Sequence, residues 1–304
     1  MPAARPSYRG LVAAATAFTL WGLFPVYLHP LRDVAALQVI AHRVTWSCLF
    51  LFAWMLARGE LWRLGATLSR PRLLAGLAAS ATLISGNWLV YVWSVTHNHI
   101  VDSSLGYYIN PLVNVVLGVL VLHERLNRTQ WSAVALAALG VGYLTVLAGH
   151  PPWIALALGI SFSLYGLVRK VISVDALPGL ATETLLLMPL AVAYLLWCSF
   201  AGVGALTRDG AAIAALLIGS GLVTAVPLFL FAYGARLLPY STVGILQYIA
   251  PSLQLLCGVM FYHESFGPAL AAGFGLVWAG LLLYAGDGLW RTRGAGAVRN
   301  VRRN

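Results

Sequence analysis

Two ionisable residues sit inside long apolar stretches, and they are the first candidates for chemistry. Arg43 lies in AHRVTWS (41–47), about ten residues into a hydrophobic run over 34–57. An arginine at the centre of a membrane-crossing helix costs about 2.5–3.5 kcal/mol on insertion scales. An acidic partner, backbone carbonyls, a water-filled cavity or an anionic substrate must offset that cost. His42 is adjacent but points about 100° round a helix, and a hydrogen-bonded interior histidine is its simpler reading. Glu183, in ATET (181–184), is the clearest acid within an apolar run, 178–200. It could bridge permanently to Arg43 or, poised between burial and a cation, exchange a proton.

The neutral polar candidates cluster around two prolines. Pro111 and Pro251 should interrupt their helices, because proline removes a backbone donor and frees a carbonyl. Asn110 and Asn114 are four residues apart, and Gln247 and Gln254 seven, so each pair shares a helix face. Their amides offer donor and acceptor together, which suits a polar solute or a neighbouring helix. Asn87, Trp88 and Tyr91 belong to another apolar run, with Asn87 and Tyr91 on one face. Tyr107, Tyr108 and Tyr248 flank the prolines. Stacking or cation–π contact with an organic solute is open to these rings, as is ordinary packing. Asp102, with His97 and His99, precedes or opens another run, where Asp102 reads as a helix N-cap. Their spacing gives no metal-ligand pattern.

The elements that must position these groups follow from composition. The chain has 304 residues, 60% hydrophobic and 9% charged. That is too little charge for a water-soluble surface, and disorder needs the opposite balance. A polytopic membrane protein remains. Runs of about 20 apolar residues fall at 10–28, 34–57, 73–96, 102–122, 129–147, 152–168, 178–200, 211–235, 241–262 and 268–286. Helices are expected because backbone polar groups in lipid must be satisfied internally. Cys48, Cys198 and Cys257 all lie within these runs and read as small buried apolar residues.

The net charge of +10 is distributed with a strong bias. With ten spans, 16 of the 19 Lys and Arg fall on the N-terminal side; only Arg32 and Arg208 fall on the other, and Arg43 lies within a span. Positive charge marks the cytoplasmic side, so both termini are expected there. The basic balance therefore reads as topology, with no nucleic acid implied.

The chain also repeats itself. YINPLVNVVLGVLVLHERL (108–126) aligns without gaps on YIAPSLQLLCGVMFYHESF (248–266), offset by 140, and FTLWGL (18–23) matches FSLYGL (162–167). Each half then holds five helices, an odd number, so the second half enters from the opposite side. The units are 8–148, 149–287 and a basic cytoplasmic tail, 288–304. Inverted repeats of this kind belong to alternating-access transporters, with a substrate site between the halves, and matched helix interruptions point to it. Gly76, Gly118, Gly140, Gly142, Gly273 and Gly275 read as close-packing positions.

On LWGLFPVY (20–27), AHRVTWS (41–47), SGNWLVYVWSV (85–95), SSLGYYINPLVNVVLG (103–118), SLYGLVRK (163–170), ATET (181–184) and QYIAP (247–251), the chain resembles the EamA branch of the drug/metabolite transporter superfamily, and within it the RarD subgroup. The resemblance runs nearly end to end. It implies ten helices in two inverted five-helix repeats and transport of a small solute.

There is no HExxH, G-x-S-x-G or P-loop, so neither hydrolysis nor ATP-driven transport has a basis here. The expected protein is a secondary transporter of the cell membrane that moves a small organic metabolite or drug-like solute, with no cofactor or metal. Its partners are that solute and membrane lipid. Arg43, Glu183, Tyr108, Asn110, Pro111, Asn114, Gln247, Tyr248, Pro251, Gln254, Asn87, Trp88 and Tyr91 are the candidates for its path. A membrane-embedded sensor or enzyme is the alternative.

Overall fold

A computed structural model of the chain describes residues 8–122, 126–172, 174–238 and 246–301. Among these residues the protein is helical throughout, with no strand. The chain begins with α1 (Tyr8–Gly22) and α2 (Phe24–Leu28), the latter extended by a 3-10 turn over His29–Leu31. It continues through α3 (Ala36–Ala57), α4 (Leu61–Leu68), α5 (Pro71–Thr96), α6 (Ile100–Leu122) and α7 (Arg128–Ala148). The remainder forms α8 (Trp153–Val171), α9 (Ala176–Phe200), α10 (Ala205–Arg208), α11 (Ala211–Leu237), α12 (Ile249–Met260) and α13 (Pro268–Val301).

Six helices, α3, α5, α6, α7, α9 and α11, are long and apolar enough to cross a membrane, and α1 with α2 makes a seventh, bent by 43°. Shorter apolar helices cover Trp153–Arg169, Ile249–Met260 and Pro268–Tyr284. Within the expected run 241–262, Ile249–Met260 forms a helix, and 239–245 lie outside the described residues. Helix α13 runs on into the basic tail as far as Val301. Helices α4 and α10 were hidden in connections read as loops. Pro111 does not break α6, whose backbone is helical from Ile100 to Leu122. Proline costs a helix one internal bond, and spanning helices also continue through Pro189 and Pro227 here.

The exterior of the molecule is apolar, and hydroxyls are buried among its hydrophobic core. Val146, Phe200 and Leu282 are 83%, 89% and 75% exposed, while Ser47, Ser80, Ser94, Ser103 and Thr224 are buried. Apolar surface outside and hydroxyls inside is the arrangement lipid demands. With little hydrophobic force left to join helices in lipid, packing and interhelical hydrogen bonds must do it.

Helix α7 packs along α13, α6 along α8, α1 along α11, and α3 against both α9 and α11. Small residues permit these approaches. A Cβ on Gly140 would stand 2.9 Å from the Gly273 carbonyl oxygen, and one on Gly280 would stand 2.7 Å from that of Ala133. Gly142 and Gly275 have nothing within 4 Å, so they are not packing positions, and Gly76 abuts Ile172.

Gly280→Ala should therefore lower thermal stability in detergent by about 1–3 kcal/mol, the usual cost of overpacking. Gly275→Ala should leave it unchanged or raise it, because alanine is the better helix former. Equal unfolding temperatures for the two variants would contradict the α7–α13 contact.

Candidate functional site

A cavity of about 640 Å³ lies among α1, α2, α3, α5, α6, α8, α9, α11 and α12. Its walls are mainly aromatic and aliphatic. On α3 it touches Arg43, Phe50, Leu51 and Trp54, and on α9 Leu177 and Leu180. It thus extends from mid-depth toward the end of the bundle that carries Arg58, Arg63 and Arg169, hereafter the basic end.

Arg43 is 6% exposed and points into this cavity. Its Nε donates to Thr224 Oγ1 over 2.6 Å, and its guanidinium lies 4.3 Å from the Trp88 ring centre and 4.8 Å from that of Phe24. Among the described residues no carboxylate lies within ion-pairing distance of it. A hydrogen bond to a charged group contributes roughly 1.5–3 kcal/mol, and each desolvated cation–π contact up to about 2 kcal/mol. Together these are large enough to offset the insertion cost of about 2.5–3.5 kcal/mol. Arg43 can therefore stay in place without an acid. Its Nη1 is nevertheless buried with no hydrogen-bond partner among the described residues.

Three neighbours share that condition. Asn87 Nδ2 donates to the Leu158 carbonyl at 3.0 Å and to Ser161 Oγ at 2.9 Å, which fixes its amide and leaves Oδ1 unpartnered. Gln254 Nε2 donates to the Trp21 carbonyl at 3.2 Å, leaving Oε1 unpartnered. The Tyr91 hydroxyl is the third. All three residues line the cavity. An unsatisfied buried polar group costs about 1–3 kcal/mol, so four around one space call for an explanation.

The Gln254 contact has a backbone origin. Pro25 cannot donate to the carbonyl four residues back, that of Trp21, and the chain bends there. The Val26 amide turns to Leu23 instead. Gln254 takes the freed Trp21 carbonyl, and the Cys257 thiol approaches that of Gly22 at 3.9 Å. The bend is thereby tied to α12.

Glu183 is 1% exposed and does not meet Arg43. Its carboxylate accepts from Ser80 Oγ at 2.5 Å and Tyr165 Oη at 3.4 Å, and lies 3.5 Å from Arg169 Nη1. The reason is depth. Arg43 is seven residues past the start of α3, which begins away from the basic end, whereas Glu183 is seven past the start of α9, which begins at it. At 1.5 Å per residue each lies about 10 Å in, from opposite ends. Gly179, one turn before Glu183, makes room for the Arg169 guanidinium, which occupies the space a Cβ would take.

The other candidates divide. Asn87, Trp88, Tyr91, Asn110, Gln247, Pro251 and Gln254 line the cavity with Arg43. Asn110 Oδ1 accepts from Ser163 Oγ. Tyr108 and Tyr248 stack in a neighbouring core, with Tyr108 bonded to Ser252 at 2.7 Å. Asn114 is exposed, and the Pro111 side chain lies outside the described residues, as do His123, Glu124 and Arg125.

At the end away from the basic one the helices are sewn together. Glu264 Oε1 and Oε2 accept from the Ile100 and Val101 amides at 2.6 and 2.7 Å. The expected capping of α6 by Asp102 is thus performed from a distant loop, and Asp102 instead lies 3.2 Å from His99 Nδ1. Burial holds the Glu264 carboxyl above the usual carboxylate range, although both amides pull it down. Tyr262 Oη donates to the Pro25 carbonyl at 2.7 Å, and the Gln38 amide bridges Val203 and Ala205.

Comparison with known proteins agrees with this architecture. Residues 8–146 match the EamA-like transporter family. An "Uncharacterized transporter" of Vibrio cholerae is 43% identical, covering 95% of each chain. "Protein RarD" of Streptomyces exfoliatus is 42% identical, covering 96% of this chain and 93% of its own. The chain belongs to the EamA-like transporter family and is of the RarD type. A "Chloramphenicol-sensitive protein RarD" of Pseudomonas aeruginosa is 32% identical over 93% of this chain and 95% of its own. A solved crystal structure at 18% identity has a TM-score of 0.56 over 90% of this chain and 96% of its own, a likeness of fold.

In this EamA-family transporter, sequence reasoning missed Arg169, Ser80 and Thr224. Arg169 sits beside Lys170 at a helix end and was counted as a topology charge. A signal was present, since Tyr165 and Arg169 are four apart and share a face, as do Gly179 and Glu183.

Gly179→Ala should displace the Arg169 guanidinium and lower thermal stability, despite alanine's better helix propensity. In an Arg169→Gln background the same change should cost nothing or stabilise, giving a coupling of about 0.5–3 kcal/mol in a double-mutant cycle. Additive effects would show that Gly179 does not serve the ion pair.

Proposed function

We propose that this protein is a secondary active transporter of the cell membrane that moves a small organic metabolite or drug-like solute by alternating access. The observation that carries the reading is the cavity itself, reaching from mid-depth to the basic end while the other end is held by Glu264, Tyr262 and Gln38. With the charge bias placing the basic end and both termini in the cytoplasm, this is an inward-facing conformation.

Ten spans in two inverted five-helix repeats underlie it. The bent pair and the three shorter apolar helices bring the six long helices to ten. The packing supports the repeat. Exchanging α1 with α8, α3 with α9, α5 with α11, α6 with α12 and α7 with α13 turns the α1–α11 contact into α5–α8. The same exchange turns α3–α11 into α5–α9 and α6–α8 into α1–α12, and all of these contacts occur. Glu183, held by a hydroxyl, a phenol and an arginine next to the cavity, is the coupling carboxylate, taking and releasing a proton as the halves alternate.

In cells compared across a broad metabolite panel, wild type should redistribute at least one compound with saturable flux. Glu183→Gln at equal membrane abundance should slow that flux at least tenfold and flatten its pH dependence. Intact transport with intact pH dependence would remove Glu183 from coupling, and no redistribution by wild type would remove the transport reading.

The seal is testable separately. Two charge-assisted bonds at a half-buried site should contribute about 1–3 kcal/mol. In a chain lacking Cys48, Cys198 and Cys257, Glu264→Ala should raise labelling of Leu28→Cys by an impermeant thiol reagent added outside. Unchanged labelling would mean that Glu264 does not close this end.

A further inference from the structure

Arg43, Tyr91, Asn87 and Gln254 are each at least nine-tenths buried, come from three different helices, line one cavity, and each holds an unpartnered polar atom. Among the described residues seven buried side-chain atoms lack a partner, and four of them belong to these residues. Their chemistry is specific. Arg43 Nη1 can only donate, and it carries the charge. The Tyr91 hydroxyl can donate or accept. Asn87 Oδ1 and Gln254 Oε1 can only accept, because their amide nitrogens are committed elsewhere.

We infer that the cavity binds an organic monoanion with a flat apolar body, an aromatic carboxylate that also carries an N–H or O–H donor. This names a substrate class and rests on the transport reading for its physiological sense, though not for binding itself.

The charge assignment follows from Arg43, which among the described residues has neither a carboxylate partner nor a second cation beside it; Arg169 is occupied by Glu183. One cation suits one negative charge, and the apolar walls disfavour a phosphate dianion. The body is set by the walls. Phe24 is stacked on Tyr27 and on Tyr91, with interplanar angles of 9° and 8°, and Trp88 lies across the guanidinium. Those rings shelter the charge, and the partly buried rings of Trp21, Tyr107 and Phe162 line the same cavity. A carboxylate in this place would take the Arg43 and Tyr91 donors, and the two amide oxygens would take the donor that the ligand supplies. A sugar would leave the rings uncovered, and an organic cation would meet Arg43.

The test uses the full chain in lipid nanodiscs. Calorimetry and thermal unfolding are measured with 4-hydroxybenzoate, its neutral carboxamide, inorganic phosphate and chloride. The carboxylate is expected to bind and raise the unfolding temperature, with the carboxamide at least tenfold weaker and phosphate and chloride without comparable effect. Arg43→Gln should erase the difference between acid and amide, and Gln254→Leu should weaken the hydroxylated acid more than benzoate. The comparison of acid with amide on the wild-type protein needs no variant to fold. Equal binding of the two, or binding of neither, would overturn the inference, and so would an equal effect of chloride. Binding of the acid without saturable uptake into proteoliposomes would instead overturn transport and leave the site standing. Redistribution of neutral or cationic metabolites alone would leave transport standing and overturn the anion assignment.

Discussion

An arginine set in a mainly apolar cavity wall, with no carboxylate within ion-pairing distance among the described residues, sets the terms for the rest of this molecule. A carboxylate would have neutralised Arg43 outright. Instead the protein surrounds it with one hydroxyl and two ring faces. Each of those comes from a different helix: Thr224 from α11, Trp88 from α5 and Phe24 from α2. The charge can be sheltered only if these helices meet around it. The cost of Arg43 is thus also a constraint on assembly, and it binds the break between α1 and α2 to the centre of the bundle.

The same break shows how a defect in one helix becomes a contact between two. Pro25 frees the Trp21 carbonyl, and lipid cannot satisfy it. Gln254 does, and its oxygen is left without a partner among the described residues. Tyr262, two residues past the end of α12, bonds the Pro25 carbonyl itself. So α12 grips the bend at two heights, one beside the cavity and one at the seal. A movement of α12 relative to α1 would alter both together. That is a mechanical link between the cavity and the closed end, made from two ordinary hydrogen bonds.

Much of this was legible in the sequence, and what was not has physical reasons. The apolar runs located the helices because lipid leaves few alternatives to them. Asn87, Trp88, Tyr91 and Gln254 were found because polar and aromatic groups inside such runs are costly enough to need a purpose. The failures concern depth and direction. The spacing of Asn110 and Asn114 places them on one face, yet only the first is buried, because a face broad enough for two residues can straddle the edge of a helix contact. Tyr108 and Tyr248 lie beside the prolines but turn into the α6–α12–α13 core. The capping of α6 by Glu264 joins residues 163 and 164 positions apart, which no local pattern announces.

The separation of Arg43 from Glu183 follows from the same geometry and has the larger consequence. Helices α3 and α9 begin at opposite ends of the bundle, so residues seven positions past each start lie at different depths and cannot meet. Glu183 therefore finds Arg169 near the basic end, and that pair is internally balanced. Arg43, nearer the sealed end, is left with charge and a donor unspent. Had the two met, the cavity would be lined by a finished salt bridge and would need nothing from outside. Their separation leaves one site with a carboxylate–guanidinium pair and the other with a cation sheltered only by a hydroxyl and two rings.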